Sequence, residues 1–552
     1  MYSSKKNVLE VTALLKAYDI SQVVIAPGSR NAPLIHNLTQ HPFFTPHLVV
    51  DERNAGFYAL GIIQKTNHPV AVCCTSGTAL LNLAPAVAEA YYANLPLVII
   101  SADRSPEWIG QMDGQTISQP NAFQTIVKKT VNIPEIRTET DHWFANRLVN
   151  EALIAATEGL PGPVHINVPL SEPLFDFSET DFPEVRKISF TSGLKLVNNP
   201  RFGQIWKESK RKLIVVGQLA SSPELNALLE QLVEKSNCVV LAEHISNLHS
   251  KKFISNFDVI LATTRHELWN ELQPDLVLSF GGHLISKRFK HFLRANHPQH
   301  HWHLSPSPQV VDLFQSLTDL IETDSRSFLE TLLPSSNPET GKAFANLWES
   351  RAQQIGEPEG NLPFSDIYSL GRLLKSLPKS AALHLANSSV VRNAQLFTPS
   401  AAIPVFSCRG TNGIESSLPA AIGYAAVADE LTFLAIGDLS FFYTVGAIWN
   451  IEHLNNLRVA VFNNHGGAIF HLLPGMNKSE ALPQYIGAEH QNNAQKWAEA
   501  AGFSYLAAKN KEELETVLAD FVRAGDKPCL LEIFTDIEIN KTASEVYYQA
   551  FK

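Results

Sequence analysis

The sequence predicts an α/β protein of three domains, each a parallel sheet flanked by helices. Short apolar runs, such as residues 23–26, Val70–Cys74 and 97–101, alternate with helical stretches. That alternation is the pattern of parallel strands joined by crossover helices. Two breaks interrupt it, one over residues 171–200 and one opening at Leu333-Pro334-Ser335-Ser336-Asn337-Pro338. With 552 residues, the chain is long enough for about three or four domains of ordinary size. The expected domains are 1–178, 200–335 and 360–552.

The elements follow in order. In the first domain, residues 23–26 read as a strand ending in the turn Pro27-Gly28-Ser29-Arg30, and residues 48–50 as a second strand. Val70–Cys74 is a third, followed by Thr75-Ser76-Gly77-Thr78 and an Ala-rich helix to about Tyr92. Residues 97–101 lead into Ala102-Asp103-Arg104, and residues 160–169 read as the closing strand. The middle domain carries strands at 213–217, Val239–Ala242 and Leu276–Phe280. The last opens with a helix over 364–377. His297, His300, His301 and His303 surround Trp302 without carboxylate or thiolate companions. A surface loop leading into a strand is expected there, not a zinc site.

Composition excludes several classes. Forty-five per cent of residues are hydrophobic and 18% charged, enough apolar material for sizeable cores and against global disorder. Lys and Arg number 44 against 54 Asp and Glu, a net charge of −10, which argues against nucleic-acid or anionic-membrane surfaces. The five cysteines have no metal spacing, and Cys73-Cys74 sits inside an apolar run. That usage fits a reducing cytosol. No secretory signal and no run of about 18 apolar residues is seen, so a cytoplasmic protein without a membrane span is expected.

Chemistry concentrates in the last domain. Gly437-Asp438-Leu439-Ser440 ends the apolar run 431–436, and Asn463-Asn464-His465-Gly466-Gly467 ends the run 458–462, with a helical stretch over 443–457 between them. Both turns then emerge at one edge of a parallel sheet. A carboxylate, an amide oxygen and free carbonyls converge there as hard ligands, suited to Mg²⁺ that is also held by substrate phosphates. Far upstream, Val49-Val50-Asp51-Glu52-Arg53-Asn54 places Glu52 at a strand end before a small-residue helix.

Basic residues also stand at turns after apolar runs: Arg30, Arg104, Lys287, Arg392 and Arg409. Ligands bind at the carboxyl ends of strands in open α/β sheets. The arginine fork matches a carboxylate bidentately, so several at one rim suggest a substrate with more than one carboxylate.

The blocks PGSRNAPL, DERNAGFYALG, TSGTALLNLAPAVAEA, SADRSPE, GQTISQ, NSSVVRNAQ, RGTNGIE, GDLS and NNHGGAIFHLLP occur in one order from about Asn7 to Ile537. In that order the chain resembles the 2-succinyl-5-enolpyruvyl-6-hydroxy-3-cyclohexene-1-carboxylate synthases, thiamine-diphosphate enzymes of menaquinone biosynthesis. The resemblance implies a pyrimidine-binding first domain, a central α/β domain and a diphosphate- and metal-binding last domain. It implies thiamine diphosphate with Mg²⁺, for which Mn²⁺ substitutes. The implied reaction is decarboxylation of 2-oxoglutarate to a bound succinic-semialdehyde carbanion, then Stetter-like addition of that carbon to isochorismate.

Carried over by motif, Glu52 bonds the aminopyrimidine and activates the cofactor, while Asp438, Asn464 and the Gly466 carbonyl hold the metal. Ile469 and Phe470 pack the cofactor and wall the substrate site. Ser388 touches cofactor and substrate. Ser29, Arg30, Arg104, Gln115, Lys287, Arg392 and Arg409 complete the substrate site. A homodimer or a dimer of dimers is implied, with each cofactor shared between two chains.

The chain departs from the family pattern at Glu415 (usually Asp), Thr444 (often acidic), Gly114 (often Asn) and the variable His465. Three alternatives stand beside this reading. A simpler 2-oxoacid decarboxylase or carboligase needs no dense basic rim. A nucleotide-binding protein would want a glycine-rich phosphate loop, and neither G-x-G-x-x-G nor G-x-x-x-x-G-K-[ST] is present. A non-catalytic scaffold would not need Glu52, Asp438 and Asn464 intact.

Overall fold

The computed structural model describes residues 1–190, 199–356, 362–398, 402–450, 454–473 and 475–551. Their strands form three sheets, parallel throughout. The first contains β1 (Gln22–Ile25), β2 (Thr45–Leu48), β3 (Val70–Cys74), β4 (Leu97–Arg104), β5 (Lys129–Asn132) and β6 (Val164–Leu170), in the order β2-β1-β3-β4-β6-β5. The central sheet contains β7 (Lys212–Val216), β8 (Val239–Ala242), β9 (Leu276–Phe280), β10 (His300–Ser305) and β11 (Asp319–Glu322), in the order β11-β10-β9-β7-β8. The last contains β12 (Ala381–Leu385), β13 (Val405–Phe406), β14 (Leu431–Gly437), β15 (Leu457–Asn463), β16 (Ser504–Ala508) and β17 (Cys529–Phe534), in the order β13-β12-β14-β15-β17-β16. Strands such as β3, β12 and β15 are buried along their whole length, as helices on both faces of a parallel sheet require.

The outer sheets share one strand order. In each, the second strand lies on one side of the first and the third on the other, so the connections after the first and third strands diverge. A crevice opens at that switch point. In the first sheet it lies between the turn after β1 and the turn after β3, where a Cβ on Gly28 would stand 2.4 Å from Thr75 Cβ. In the last it lies between Asn387-Ser388 after β12 and Asp438 after β14, strands paired through Leu385 and Ala435.

Two helices in corresponding places join the outer domains. Helix Glu52–Thr66 follows β2 and helix Ser417–Ala425 follows β13, and they pack on each other. A Cβ at Gly61 would lie 1.9 Å from the Ala420 carbonyl oxygen, and one at Gly423 2.0 Å from that of Tyr58. Only glycine permits this approach of the backbones. The central sheet also carries helix Lys342–Gln354, whose Phe344, Ala345 and Trp348 are buried in one cluster with Leu213, Val215 and Val239.

Several expected elements differ. The strand expected at 48–50 is Thr45–Leu48, on the sheet edge and mostly exposed, so its sequence Thr-Pro-His-Leu lacks an apolar run. Glu52 is therefore not at a strand end but is the first residue of a helix, capped by Asp51. The Ala-rich helix breaks into Thr78–Asn82 and Ala84–Ala93, the second starting beside Pro85. The strand read as closing the first domain lies between β4 and the unforeseen edge strand β5, Lys-Thr-Val-Asn. The helix expected over 443–457 begins at Asp438 and continues as the 3₁₀ segment Val445–Asn450; residues 451–453 lie outside the described ones, and Leu457 belongs to β15. His300, His301 and His303 stand in β10, not in a loop: His301 and His303 both bond the Ser279 hydroxyl, at 2.9 and 3.0 Å. Part of the expected linker, 191–198, also lies outside the described residues.

Candidate active site

At the carboxyl end of the last sheet, Asp438 and Asn464 come together through backbone geometry. Asp438 opens helix Asp438–Tyr443 and is 2% exposed. Its Oδ1 accepts the Leu439 N–H at 2.7 Å, and its Oδ2 accepts the Gly466 N–H at 3.0 Å. The 464–467 turn folds back under Gly487, whose carbonyl accepts the Gly467 N–H at 2.6 Å. His465 takes φ 65°, in the left-handed region, and a Cβ on Gly466 would lie 2.9 Å from the Gly487 oxygen. His490 Nε2 lies 3.4 Å from Asp438 Oδ2.

Asn464 is oriented from behind. Its Nδ2 donates to Asp366 Oδ2 at 2.9 Å, while its Oδ1 is buried with no hydrogen-bond partner among the described residues. Asp366 also accepts the Thr535 hydroxyl at 2.6 Å. Burial first, then the nearby Asp438 charge, push its carboxyl upward, and the Thr535 and Asn464 bonds oppose them. An amide oxygen left unpaired in a buried site is costly unless something binds it. With the Asp438 carboxylate and the Gly466 carbonyl, which also accepts the Ala468 N–H at 3.1 Å, it makes a hard-oxygen set that fits Mg²⁺. Ile469 and Phe470 lie just beyond, half-buried, with the Phe470 ring packed under Gly467.

The basic residues fall into two groups. Arg30 is buried, donates to the Leu170 carbonyl at 3.0 Å and pairs with Glu172 at 2.9 Å. Arg104 pairs with Asp113 at 3.2 Å and donates to the Gly114 carbonyl. The Arg30 cation is disfavoured by burial first and by the Arg104 charge next. Ser29 is exposed on the same turn as Arg30, and Gln115, exposed at φ 55°, lies with its backbone against Gly77.

In the last domain, Ser388 takes φ 77° at the start of helix Ser389–Ala394, which carries Arg392. Arg409 is 6% exposed and donates to Asn387 Oδ1 at 2.7 Å. The Nε atoms of both Arg392 and Arg409 are buried without hydrogen-bond partners among the described residues. Lys287, exposed, is the first residue of helix Lys287–Ala295 in the central domain. No hydrogen bond or ion pair joins Arg30 or Arg104 to Arg392 or Arg409 among the described residues. Glu52, half-buried, accepts from Asn82 Nδ2 at 3.0 Å, and the adjacent Arg53 reaches the Tyr443 carbonyl at 3.3 Å and stacks on its ring.

Sequence reasoning passed over Asp366, Asn387, Glu89 and Glu243. Asn387 heads the NSSVVRNAQ block and Glu89 stands in the Ala-rich helix, an ionisable residue among apolar ones, so both left a signal. Asp366 and Glu243 gave none, since their partners are remote in sequence.

Paired switch-point sheets, a hard-oxygen turn and a central α/β domain define a thiamine-diphosphate enzyme. Family models agree: residues 10–129 match the N-terminal TPP binding domain of thiamine pyrophosphate enzymes, 195–385 the middle domain and 389–533 the C-terminal TPP binding domain. A benzoylformate decarboxylase from Polynucleobacter necessarius shares the fold, with a TM-score of 0.74 over 97% of this chain and 99% of that one, at 19% identity. Within that class the chain belongs to the 2-succinyl-5-enolpyruvyl-6-hydroxy-3-cyclohexene-1-carboxylate synthase family. Members from Bacteroides thetaiotaomicron and Bacteroides fragilis are 47% and 44% identical to it, over 100% of both chains in each case.

Proposed function

We propose that this enzyme decarboxylates 2-oxoglutarate and adds the remaining succinyl unit to isochorismate by 1,4-addition, giving 2-succinyl-5-enolpyruvyl-6-hydroxy-3-cyclohexene-1-carboxylate and CO₂ in menaquinone biosynthesis. Full-length identity of 47% to a synthase of that name supports the reaction. The observation that carries it to this site is the pairing of buried Arg409 with half-buried Arg392, each with an Nε that lacks a hydrogen-bond partner among the described residues, at the sheet end that bears Asp438. Both substrates are dicarboxylates, and such a pair suits them.

Thiamine diphosphate, when bound, supplies the carbon nucleophile that releases CO₂ from a 2-oxoacid and passes the acyl unit to an acceptor. Asp438, Asn464 and the Gly466 carbonyl hold Mg²⁺, or Mn²⁺ on the same hard ligands. Glu52 would hold the cofactor's aminopyrimidine through a proton-linked bond, and Ile469, Phe470 and Ser388 would pack the cofactor. Ser29, Arg30, Arg104, Gln115, Lys287, Ser388, Arg392 and Arg409 bind the substrate acids, with the arginine forks orienting carboxylates and the side walls excluding water.

The domains run close to 1–178, 200–335 and 360–552, with helix Lys342–Gln354 joining the central one. The enzyme is a homodimer, or a pair of dimers, with its site shared between chains. Large apolar side chains left exposed near the sheet ends, among them Leu48, Trp108, Leu472 and Tyr485, support a partner copy there. Among the described residues no helix is long and apolar enough to cross a membrane. All five cysteines are free and buried, which supports a cytoplasmic site of action.

The deciding assay supplies 2-oxoglutarate with and without isochorismate and follows the addition product. Succinic semialdehyde released equally in both arms, with no adduct, would make the protein a simple decarboxylase. The shared site is tested by mixing Glu52→Gln with Asp438→Ala subunits. Confirmed hybrids should regain activity, and hybrids as inactive as either parent defeat the shared-site model.

A further inference from the structure

We propose that Glu89 and Glu243 are paired positioning residues: buried carboxylates that set the backbones carrying Arg409 and Lys287 and balance the basic rim without occupying its forks. The proposal rests on the reading of Arg409 and Lys287 as substrate cations.

The two carboxylates make the same arrangement from different domains. Glu89 lies on helix Ala84–Ala93 of the first domain and is 1% exposed. Its Oε1 accepts the Gly410 N–H at 2.8 Å, and its Oε2 accepts the Thr411 N–H at 2.6 Å and the Thr411 hydroxyl at 2.8 Å. The backbone after Arg409 is thus held across 321 residues of sequence. A Cβ on Gly410 would meet the Glu89 carbonyl oxygen at 2.6 Å, so the loop lies directly on the helix. Glu243 follows β8 and is 2% exposed. Its Oε2 accepts the Ile285 N–H at 2.6 Å and its Oε1 the Ser286 N–H at 2.7 Å, the two amides that precede Lys287.

Each carboxylate therefore spans consecutive backbone amides beside a basic residue. Buried carboxylates are expensive unless paired, and amides are weaker partners than a guanidinium. Yet neither forms an ion pair with Arg409 among the described residues. Charge still links them. Burial first, then the Arg392 charge, disfavour the Arg409 cation, and the Glu243 and Glu89 charges act against both. Lys290 faces the same set: burial first disfavours its charge, Glu243 favours it, and Arg409 and Arg392 oppose it. The acids lower the cost of gathering buried Arg409 with half-buried Arg392 and Lys290, without themselves pairing with the guanidinium edges.

The test uses full-length holoenzyme with Mg²⁺ and thiamine diphosphate at pH 8. Glu89→Gln and Glu243→Gln each set an amide NH₂ against a backbone donor and remove the charge. Each should raise KM for the acidic substrates roughly 5–20-fold. Turnover at saturation should stay within about twofold, and calorimetric affinity for the cofactor should not change. Thr411→Val removes one of three donors to Glu89, leaves the carboxylate in place, and should raise KM about twofold; it keeps the test decisive if Glu89→Gln does not fold. Arg409→Met is run alongside. If it raises KM while Thr411→Val and the folded glutamine variants do not, the positioning role is wrong and the substrate reading survives. If Arg409→Met leaves KM unchanged, the substrate reading itself fails. Parallel losses of kcat, cofactor affinity and melting temperature in the variants would mean a purely structural role and overturn the proposal.

Discussion

The first and last domains share one strand order but hold their arginines in opposite states. Arg30 and Arg104 are directly engaged by Glu172 and Asp113, acids that keep access to solvent. Arg409 is buried and Arg392 half-buried, each with an Nε unpartnered among the described residues, and the acids near Arg409 are spent on backbone amides. A ligand at the first rim must displace a carboxylate, whereas one at the second finds the donors already desolvated and oriented. Preorganised donors in a dry site are worth more than solvated ones. The last rim should therefore supply affinity, and the first should respond to salt and to competing anions. The same contrast runs through the residues proposed to hold the cofactor, with Glu52 half-buried against one amide and Asp438 almost fully enclosed.

The largest expected effect lies on the enclosed side. Asp438→Ala should abolish Mg²⁺-dependent binding of thiamine diphosphate, because it removes a hard ligand and the anchor of the Gly466 amide. Titration calorimetry measures this, and unchanged affinity would put the metal elsewhere. Glu52→Gln should bind cofactor but lose roughly 10²–10⁴-fold in turnover, the range of proton-transfer assistance. Near-normal exchange of the thiazolium proton with deuterium would defeat that assignment.

Next come the rims themselves. Arg409→Met should raise substrate KM roughly 10–100-fold, and Arg30→Met roughly 3–10-fold, since Arg30 already has a competing partner. Equal effects would erase the contrast between the domains. Asp113→Asn, which frees Arg104 from a half-buried acid, should lower KM by roughly 2–5-fold in low salt. A rise instead would show that Asp113 helps binding.

A smaller effect concerns pH. Burial pushes the Glu243 carboxyl up to about 7, with the Ile285 and Ser286 amides and Lys290 pulling it down and Asp258 adding to the rise; the Arg409 charge also faces it. Between its ordinary value of 4.5 and about 7, the folded chain keeps a proton that the unfolded chain releases. This group's contribution to stability therefore falls as pH rises through that window. Thermal melts from pH 5 to 7.5 should show the parent losing stability relative to Glu243→Gln, by at most about 1.4 kcal/mol per pH unit. A constant difference between the two would show that Glu243 keeps one charge state across the window.

Much of this was legible in order along the chain. β3, β8 and β9 stand where apolar runs bounded by polar turns put them, because strands buried on both faces leave continuous apolar sequence. The edge strands of the first sheet do not. β2 and β5 are half-solvated, so Thr-Pro-His-Leu and Lys-Thr-Val-Asn read as loop. The turns bearing Asp438 and Asn464 were readable because their residue types are tied to local backbone chemistry, including a glycine that lets the chain double back.

By itself, the sequence determined the fold class, the family and the residues that line the sheet ends, since each is written in local pattern or in ordered motifs. Tertiary structure alone decided which of those residues are engaged. That Arg30 pairs with Glu172 while Glu89 is spent on the amides beyond Arg409, and that Asn464 offers its oxygen because Asp366 takes its amide, depends on contacts across 98 to 322 residues. Such contacts leave no period and no spacing in the chain. They arise only when packing withdraws water and each buried polar group must take whichever partner the fold brings within reach.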